Sequence, residues 1–126
     1  MVDIRGLWTA FNTPERRFVV HKDLDFQVGR GEVVSLVGGS GTGKTVLLRQ
    51  ILGLERPARG RVEVLGQPVE RMGQRGAASL VGMLFQHGAL FSAFSVLENI
   101  AFPLRELRTL PAGLIREAAM VKLQMV

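Results

Sequence analysis

Residues 32–45, EVVSLVGGSGTGKT, constrain the fold of this chain more than any other stretch. Residues 32–37 are a β-branched apolar run, the pattern of a strand buried in a parallel sheet. They lead into Gly38, Gly39, Ser40, Gly41, Thr42, Gly43, Lys44 and Thr45. From Thr45 the spacing turns helical, with Leu47, Leu48, Ile51 and Leu52 on one face and Gly53 placed to end the helix. The loop fits G-x-x-x-x-G-K-[ST], the phosphate-binding P-loop. The chemistry explains the residue types. Backbone N–H groups must converge on phosphate oxygens, and side chains at Gly38, Gly41 and Gly43 would block that approach. Lys44 brings a compact positive charge to the β- and γ-phosphates. Thr45 offers a hydroxyl to Mg²⁺ at the first helical turn, where the helix dipole favours anions. A flexible glycine linker would explain the glycines but not the strand before them or the helix after them.

The other elements point to an α/β chain. Residues 4–8 and 23–28 read as short strands, and residues 11–18 (FNTPERRF) between them as an exposed loop with turn chemistry at Asn12 and Pro14. Residues 29–31 form a turn, 57–60 a second turn, and 61–65 (RVEVL) a strand closed by Gly66 and Pro68. Residues 79–85 are a second candidate buried strand. Ser95 and Glu98 form a capping box that opens a short helix, which Pro103 is expected to stop. Thr109 and Pro111 mark the start of a last helix that runs to Val126 without a cap.

Composition excludes several chemistries. With no cysteine, disulfide scaffolds, Cys-zinc sites, Fe–S clusters and thiol nucleophiles are ruled out, and a reducing, cytoplasmic setting fits. A net charge of +5 suits phosphate ligands or anionic surfaces. The arginines are scattered, with no run beyond Arg16-Arg17, so no nucleic-acid partner is expected. MVDIRGLW carries Asp3 and Arg5 and no apolar core, unlike a secretory signal. Residues 76–97 lack formal charge and are long enough to span a bilayer. Gln86-His87-Gly88 with Ser79, Ser92 and Ser95 fits strand, loop and helix start better.

A second feature sits at Leu84-Phe85-Gln86, where an apolar run ends in a glutamine. Gln86 could reach Mg²⁺ or orient water near a γ-phosphate, or it could simply cap a strand end. His87 has no second ligand at metal spacing and reads as a surface histidine.

The P-loop, Phe85-Gln86 and residues 88–106 (GALFSAFSVLENIAFPLRE) together resemble the ATP-binding subunit of ABC transporters. Within that superfamily the chain is most similar to the Mla-type subunit, which powers phospholipid transport with MCE-domain partners. The resemblance implies a P-loop NTPase fold of the ABC type. Its parts are an N-terminal antiparallel β-subdomain, a RecA-like strand, P-loop and helix, and the start of a helical subdomain, divided at about 1–87 and 88–126. It implies ATP and Mg²⁺ as ligands, Gln86 as the Q-loop glutamine, and Phe11 as the aromatic residue that stacks on adenine in place of the usual tyrosine. Trp8 is the second candidate for that stacking, although a place in the first strand favours packing. The implied partners are a membrane permease, reached through the Q-loop and helical region, and a second ATP-binding subunit in a dimer. The implied location is the cytoplasmic face of the inner membrane.

Three family motifs are not in this sequence: the LSGGQ signature, an apolar strand ending in Asp-Glu, and a switch histidine. The resemblance therefore implies the N-terminal portion of such a subunit, with weak nucleotide binding and little or no hydrolysis by this polypeptide alone. The P-loop strand is expected to carry an unpaired edge and to lower stability. The alternatives are a short non-catalytic nucleotide-binding module and another kind of P-loop NTPase.

Overall fold

The computed structural model describes residues 1–12, 14, 16–72, 80–85, 88–108 and 110–126. They form two compact units, Met1–Val81 and Gly82–Val126.

The first unit is built on a four-stranded antiparallel sheet of β1 (Val2–Asn12), β2 (Arg17–Val28), β3 (Arg59–Val64) and β4 (Gln67–Pro68), ordered β2-β1-β3-β4. Both long strands exceed the expectation of 4–8 and 23–28. Phe11 pairs with Phe18 and Asn12 with Arg17, so half of the expected loop at 11–18 is hairpin ladder. Turn residues had suggested a break, but Phe18, Val19 and Val20 are good strand formers and the pairing carries them through. β1 and β2 are irregular. Between Ile4 and Leu7, β1 holds three steps against the two steps from Phe26 to Leu24. That extra residue changes the strand's parity, so Ile4, Leu7 and Thr9 all face the core and all are buried.

The core joins Ile4, Leu7, Val62, Val64 and Val69 to Leu47 of helix α1 (Lys44–Ile51), with Ile51 and Leu36 packed alongside. Two expectations for α1 are corrected. It begins at Lys44 rather than Thr45, and its buried face is Leu47 and Gln50, whereas Leu48 is exposed. Gly53 does end it. The Gly53 N–H donates to the Gln50 carbonyl (3.0 Å) and the Leu54 N–H to the Arg49 carbonyl (2.8 Å), a Schellman closure. The turn at Arg30 and Gly31 is present, its Gly29 N–H bound by the Glu32 carboxylate. The turn expected at 57–60 is shorter, because β3 starts at Arg59; the strand closes at Val64, before the Leu65-Gly66 turn.

The two candidate buried strands do not form ladders. Residues 32–37 and 81–85 pair with nothing among the described residues, and Val33, Val37 and Leu84 are 94%, 92% and 98% exposed. A central parallel strand needs a neighbour on each side and a layer on each face. The described residues supply no such neighbours, and of these two runs only Leu36 and Val81 pack against the core. Residue 79 lies outside the described set.

The second unit holds α2 (Val96–Leu107) and α3 (Ala112–Gln124), packed through Ala101, Ile115 and Ala119 with Leu97, Ile100 and Leu104 around them. The capping box is complete. The Ser95 hydroxyl accepts from the Glu98 N–H (3.3 Å), and the Glu98 carboxylate accepts from the Ser95 N–H (2.8 Å). The Ser95 hydroxyl, with the backbone N–H behind it, holds the Glu98 carboxyl below its ordinary pKa. Pro103 does not stop the helix; α2 runs four residues past it to Leu107. A proline there removes one backbone hydrogen bond, but burial of Ala101 and packing of Leu104 on both sides of it keep the helix intact. Pro111 is the N-cap of α3, and Thr109 lies outside the described residues. The last helix ends at Gln124, with Met125 as its C-cap, rather than running to Val126. Among the described residues no helix is long and apolar enough to cross a membrane.

Candidate nucleotide site

The loop at 38–45 is shaped by its glycines. Gly41 and Gly43 sit at φ 79 and 94, in the left-handed region that side chains disfavour, and Gly43 is the N-cap of α1. Successive amides bent this way form a concave set of donors. No side chain caps the helix N-terminus, so its amides are available to an anion. The Lys44 ammonium folds back on the loop, donating to the carbonyls of Gly38 and Gly39 at 2.6 Å each. Thr42 braces the same turn through its hydroxyl, which donates to the Gly39 carbonyl at 3.0 Å. The ammonium is thus held at the loop by the loop's own carbonyls. Thr45 is exposed on the first turn of α1.

Behind the loop lies a buried polar chain. Thr9 faces His21 across β1 and β2, with the Thr9 hydroxyl 2.9 Å from His21 Nδ1. The same hydroxyl accepts from Gln50 Nε2 at 2.9 Å and lies 3.2 Å from Gln50 Oε1. Thr9, His21 and Gln50 are 2%, 9% and 0% exposed, so each would be costly without a partner. At the far end the His21 ring lies close to Gly43, where an added Cβ would fall 2.7 Å from Nε2. None of the three residues stood out in the sequence. The available signal was a glutamine at 50, three residues after Leu47 and next to Ile51 on the face that should be apolar.

Burial is the larger influence on His21 and pulls its pKa below the usual value, the Gly43 contact offsetting only part of this. The native state therefore takes up this proton less readily than the unfolded chain. Stability from His21 is intact above the unfolded value, about 6.5, and falls as pH drops through it toward the folded value. The urea midpoint is expected to fall between pH 7.5 and pH 5.5, and His21→Gln, which cannot titrate, should flatten that decline. An unchanged slope in His21→Gln would contradict the assignment.

Phe11 is half-buried and shares strand parity with Leu7 and Thr9, which places it on the core face of β1, two residues beyond Thr9. Phe18 stands opposite it, 47% exposed, and was read in the sequence only as the end of a loop. Trp8 has the opposite parity, with Lys22 Nζ 5.9 Å over its ring, so it is a packing residue of the other face. Gln86 and His87 lie outside the described residues. Among the described residues no group of three or more His, Asp or Glu could hold a metal ion. Mg²⁺ needs no such cage. It is commonly held by one or two protein oxygens, with phosphates and water completing the shell, and the exposed Thr45 hydroxyl fits that donor set.

The ABC transporter family model matches residues 21–125. The intermembrane phospholipid transport system ATP-binding protein MlaF of Haemophilus influenzae is 40% identical over 129 residues, covering 100% of this chain and 47% of that protein. The probable ribonucleotide transport ATP-binding protein mkl of Mycobacterium leprae is 36% identical, covering 99% of this chain and 36% of its own length. The methionine import ATP-binding protein MetN of Xanthomonas oryzae pv. oryzae is 37% identical over 82% of this chain and 32% of its own. The chain thus spans about half the length, or less, of these curated relatives. A solved dimeric ATP-binding cassette, in a post-hydrolysis state bound to ADP and Pi, matches with a TM-score of 0.81 at 24% identity. It covers 99% of this chain and 56% of that one, and establishes the fold: a P-loop NTPase of the ABC type. By its sequence match, with which its fold agrees, this chain belongs to the ABC transporter family.

Proposed function

We propose that residues 38–45 hold the triphosphate of ATP with Mg²⁺, and that the chain serves as the nucleotide-binding part of a lipid-transporting ABC subunit. The observation that carries this reading is the Lys44 ammonium anchored on the Gly38 and Gly39 carbonyls, at the uncapped N-terminus of α1. Backbone amides of the loop would take the phosphate oxygens and Lys44 their charge. The Thr45 hydroxyl, with Gln86, would hold Mg²⁺, which when bound neutralises charge on the phosphates. Phe11 would stack on the adenine; stacking needs only a π-face, so phenylalanine can replace the usual tyrosine.

Lipid as the cargo rests on the similarity to MlaF over the whole chain, set against relatives named for ribonucleotide and methionine transport. A permease would meet the second unit, where Leu90, Phe91, Phe94 and Val96 are exposed around the α2 cap. The side chain of Asn99 ties that segment down, accepting from the Phe91 N–H at 2.8 Å and donating to the Phe91, Phe94 and Ser95 carbonyls. Residues from about 88 onward would begin the helical subdomain of the family, and the working form would be a dimer at the cytoplasmic face of the membrane.

The polypeptide alone should bind nucleotide weakly and not turn it over. No Asp-Glu pair ends an apolar strand in its sequence, so neither a second Mg²⁺ support nor a general base for water is supplied. Titration of the 126-residue chain with a fluorescent ATP analogue and Mg²⁺ is expected to saturate, and Lys44→Ala to weaken binding at least tenfold. Binding indifferent to Lys44→Ala, or steady-state hydrolysis that this change abolishes, would contradict the two halves of the reading in turn.

A further inference from the structure

The face of the sheet turned away from the core has two ends of different electrostatic character. At one end each arginine has an acid. Arg5 Nε pairs with Asp3 at 2.8 Å and Arg61 Nε with Glu63 at 3.3 Å, while Gln27 donates to Asp3 at 3.1 Å. At the other end Trp8, Ala10, Arg17, Val19, Ala58 and Arg59 line a pocket of about 230 Å³. Lys22 adds a third cation, its Nζ 5.9 Å over the Trp8 ring. Among the described residues Arg17, Lys22 and Arg59 have no acidic partner. We propose that this pocket is an anion site, taking a phosphate group with a short organic chain between the Arg17 and Arg59 guanidinium groups and the Trp8 ring.

The walls of the pocket are set by backbone pairing. Trp8 pairs with Arg59 across β1 and β3, and Ala10 with Val19 across β1 and β2. The Ala58 N–H donates to the Trp8 carbonyl at 2.8 Å and ties the entry of β3 onto β1. Guanidinium groups meet phosphate oxygens as planar two-toothed forks, and the Lys22 ammonium adds a point charge. Ala10, Val19 and Ala58 offer no competing polar groups, which strengthens attraction between the arginines and an anion. Size limits the ligand. The pocket's 230 Å³ far exceeds the share of one water molecule, about 30 Å³, but falls short of the roughly 300–1,000 Å³ of drug-sized sites. A small phosphate ester fits, and a whole nucleotide does not. Three like charges gathered at one indole without an acid repel one another, and a bound anion removes that cost. The site is also separate from the loop at 38–45, because Thr9 and Phe11 have the opposite parity to Trp8 and lie on the core face. A soluble phosphate ester and a lipid headgroup share the chemistry required.

Trp8 is the single tryptophan of a chain without tyrosine, so its fluorescence reports on this pocket. The 126-residue chain is titrated with glycerol phosphate and, separately, with phosphatidylglycerol vesicles, and Trp8 emission is expected to change saturably with at least one of them. A response to vesicles alone assigns a lipid headgroup; a response to glycerol phosphate alone assigns a soluble ester; a response to both supports the shared phosphate chemistry. Arg17→Gln combined with Arg59→Gln is expected to weaken binding by about tenfold or more. The same double variant should keep the parent's urea midpoint or exceed it, because it removes repulsion. Lys44→Ala, which strips the loop at 38–45 of its cation, should leave the Trp8 response unchanged. Silence with both probes, a response that survives the double substitution, or one that Lys44→Ala removes overturns the proposal. So does an equal response to phosphatidylcholine vesicles, whose surface is neutral, or a double variant that loses its stability together with binding.

Discussion

Gly43→Ala is expected to abolish measurable ATP binding by this chain and to lower its stability by about 2–4 kcal/mol. Two independent effects act at this position. The backbone sits at φ 94, which an L side chain tolerates poorly, and the new Cβ would lie 2.3 Å from Val20 Cγ1 and 2.7 Å from His21 Nε2. Val20 and His21 belong to β2, so the clash pushes the loop off the sheet that supports it. The loop then loses the direction of its amides. Adding Val20→Ala removes the worse clash but not the backbone strain. The double variant should therefore recover part of the stability and little of the binding. Urea unfolding and ATP titration check both, and a Gly43→Ala chain that binds like the parent would contradict the account.

The second large effect falls on the sheet. Gly60→Ala is expected to cost about 3–5 kcal/mol, a large share of the roughly 5–15 kcal/mol available to a domain. Gly60 lies in β3 at φ 93, and a Cβ there would meet the carbonyl oxygens of Gly6 at 2.4 Å and Arg5 at 2.7 Å. These are backbone atoms of the β1 segment where the ladder to β3 shifts register, between Arg5 and Trp8. No side chain can rotate aside to make room. Gly41→Ala is the contrast: its φ is 79, but nothing lies within 4 Å of the added Cβ, so only backbone strain of about 1 kcal/mol applies. If urea unfolding gave equal losses for the two glycines, the close approach of β3 to β1 would be wrong.

These glycines illustrate how much was legible in the sequence. The bend of the loop at 38–45 was, because its constraint is local: glycine where backbone turns left-handed, just before the helix start. The capping box at Ser95 and the stop at Gly53 were legible for the same reason. Gly60 was read only as a turn residue, since its partner Gly6 is far away in sequence. Strand parity was hidden as well. The extra residue between Ile4 and Leu7 turns the core face by one step, which simple alternation cannot anticipate. Pro103 misled because its local cost is overridden by packing between α2 and α3. The opposite failure occurred at residues 32–37 and 81–85, where the apolar pattern found no strand partner among the described residues. Least visible was the Thr9, His21 and Gln50 chain. Each residue alone suggests nothing, and only the fold brings positions 9, 21 and 50 together.

The central claim is that main-chain amides of the loop, with the Lys44 ammonium, receive the phosphates. Amide-resolved ¹⁵N–¹H spectra of the labelled chain, recorded as Mg-ATP is added, test it most directly. The account predicts that the largest saturable shifts fall on the amides of Gly41, Gly43, Lys44 and Thr45, and that Lys44→Ala removes them. Shifts centred elsewhere, or shifts at these four amides that survive Lys44→Ala, would contradict it.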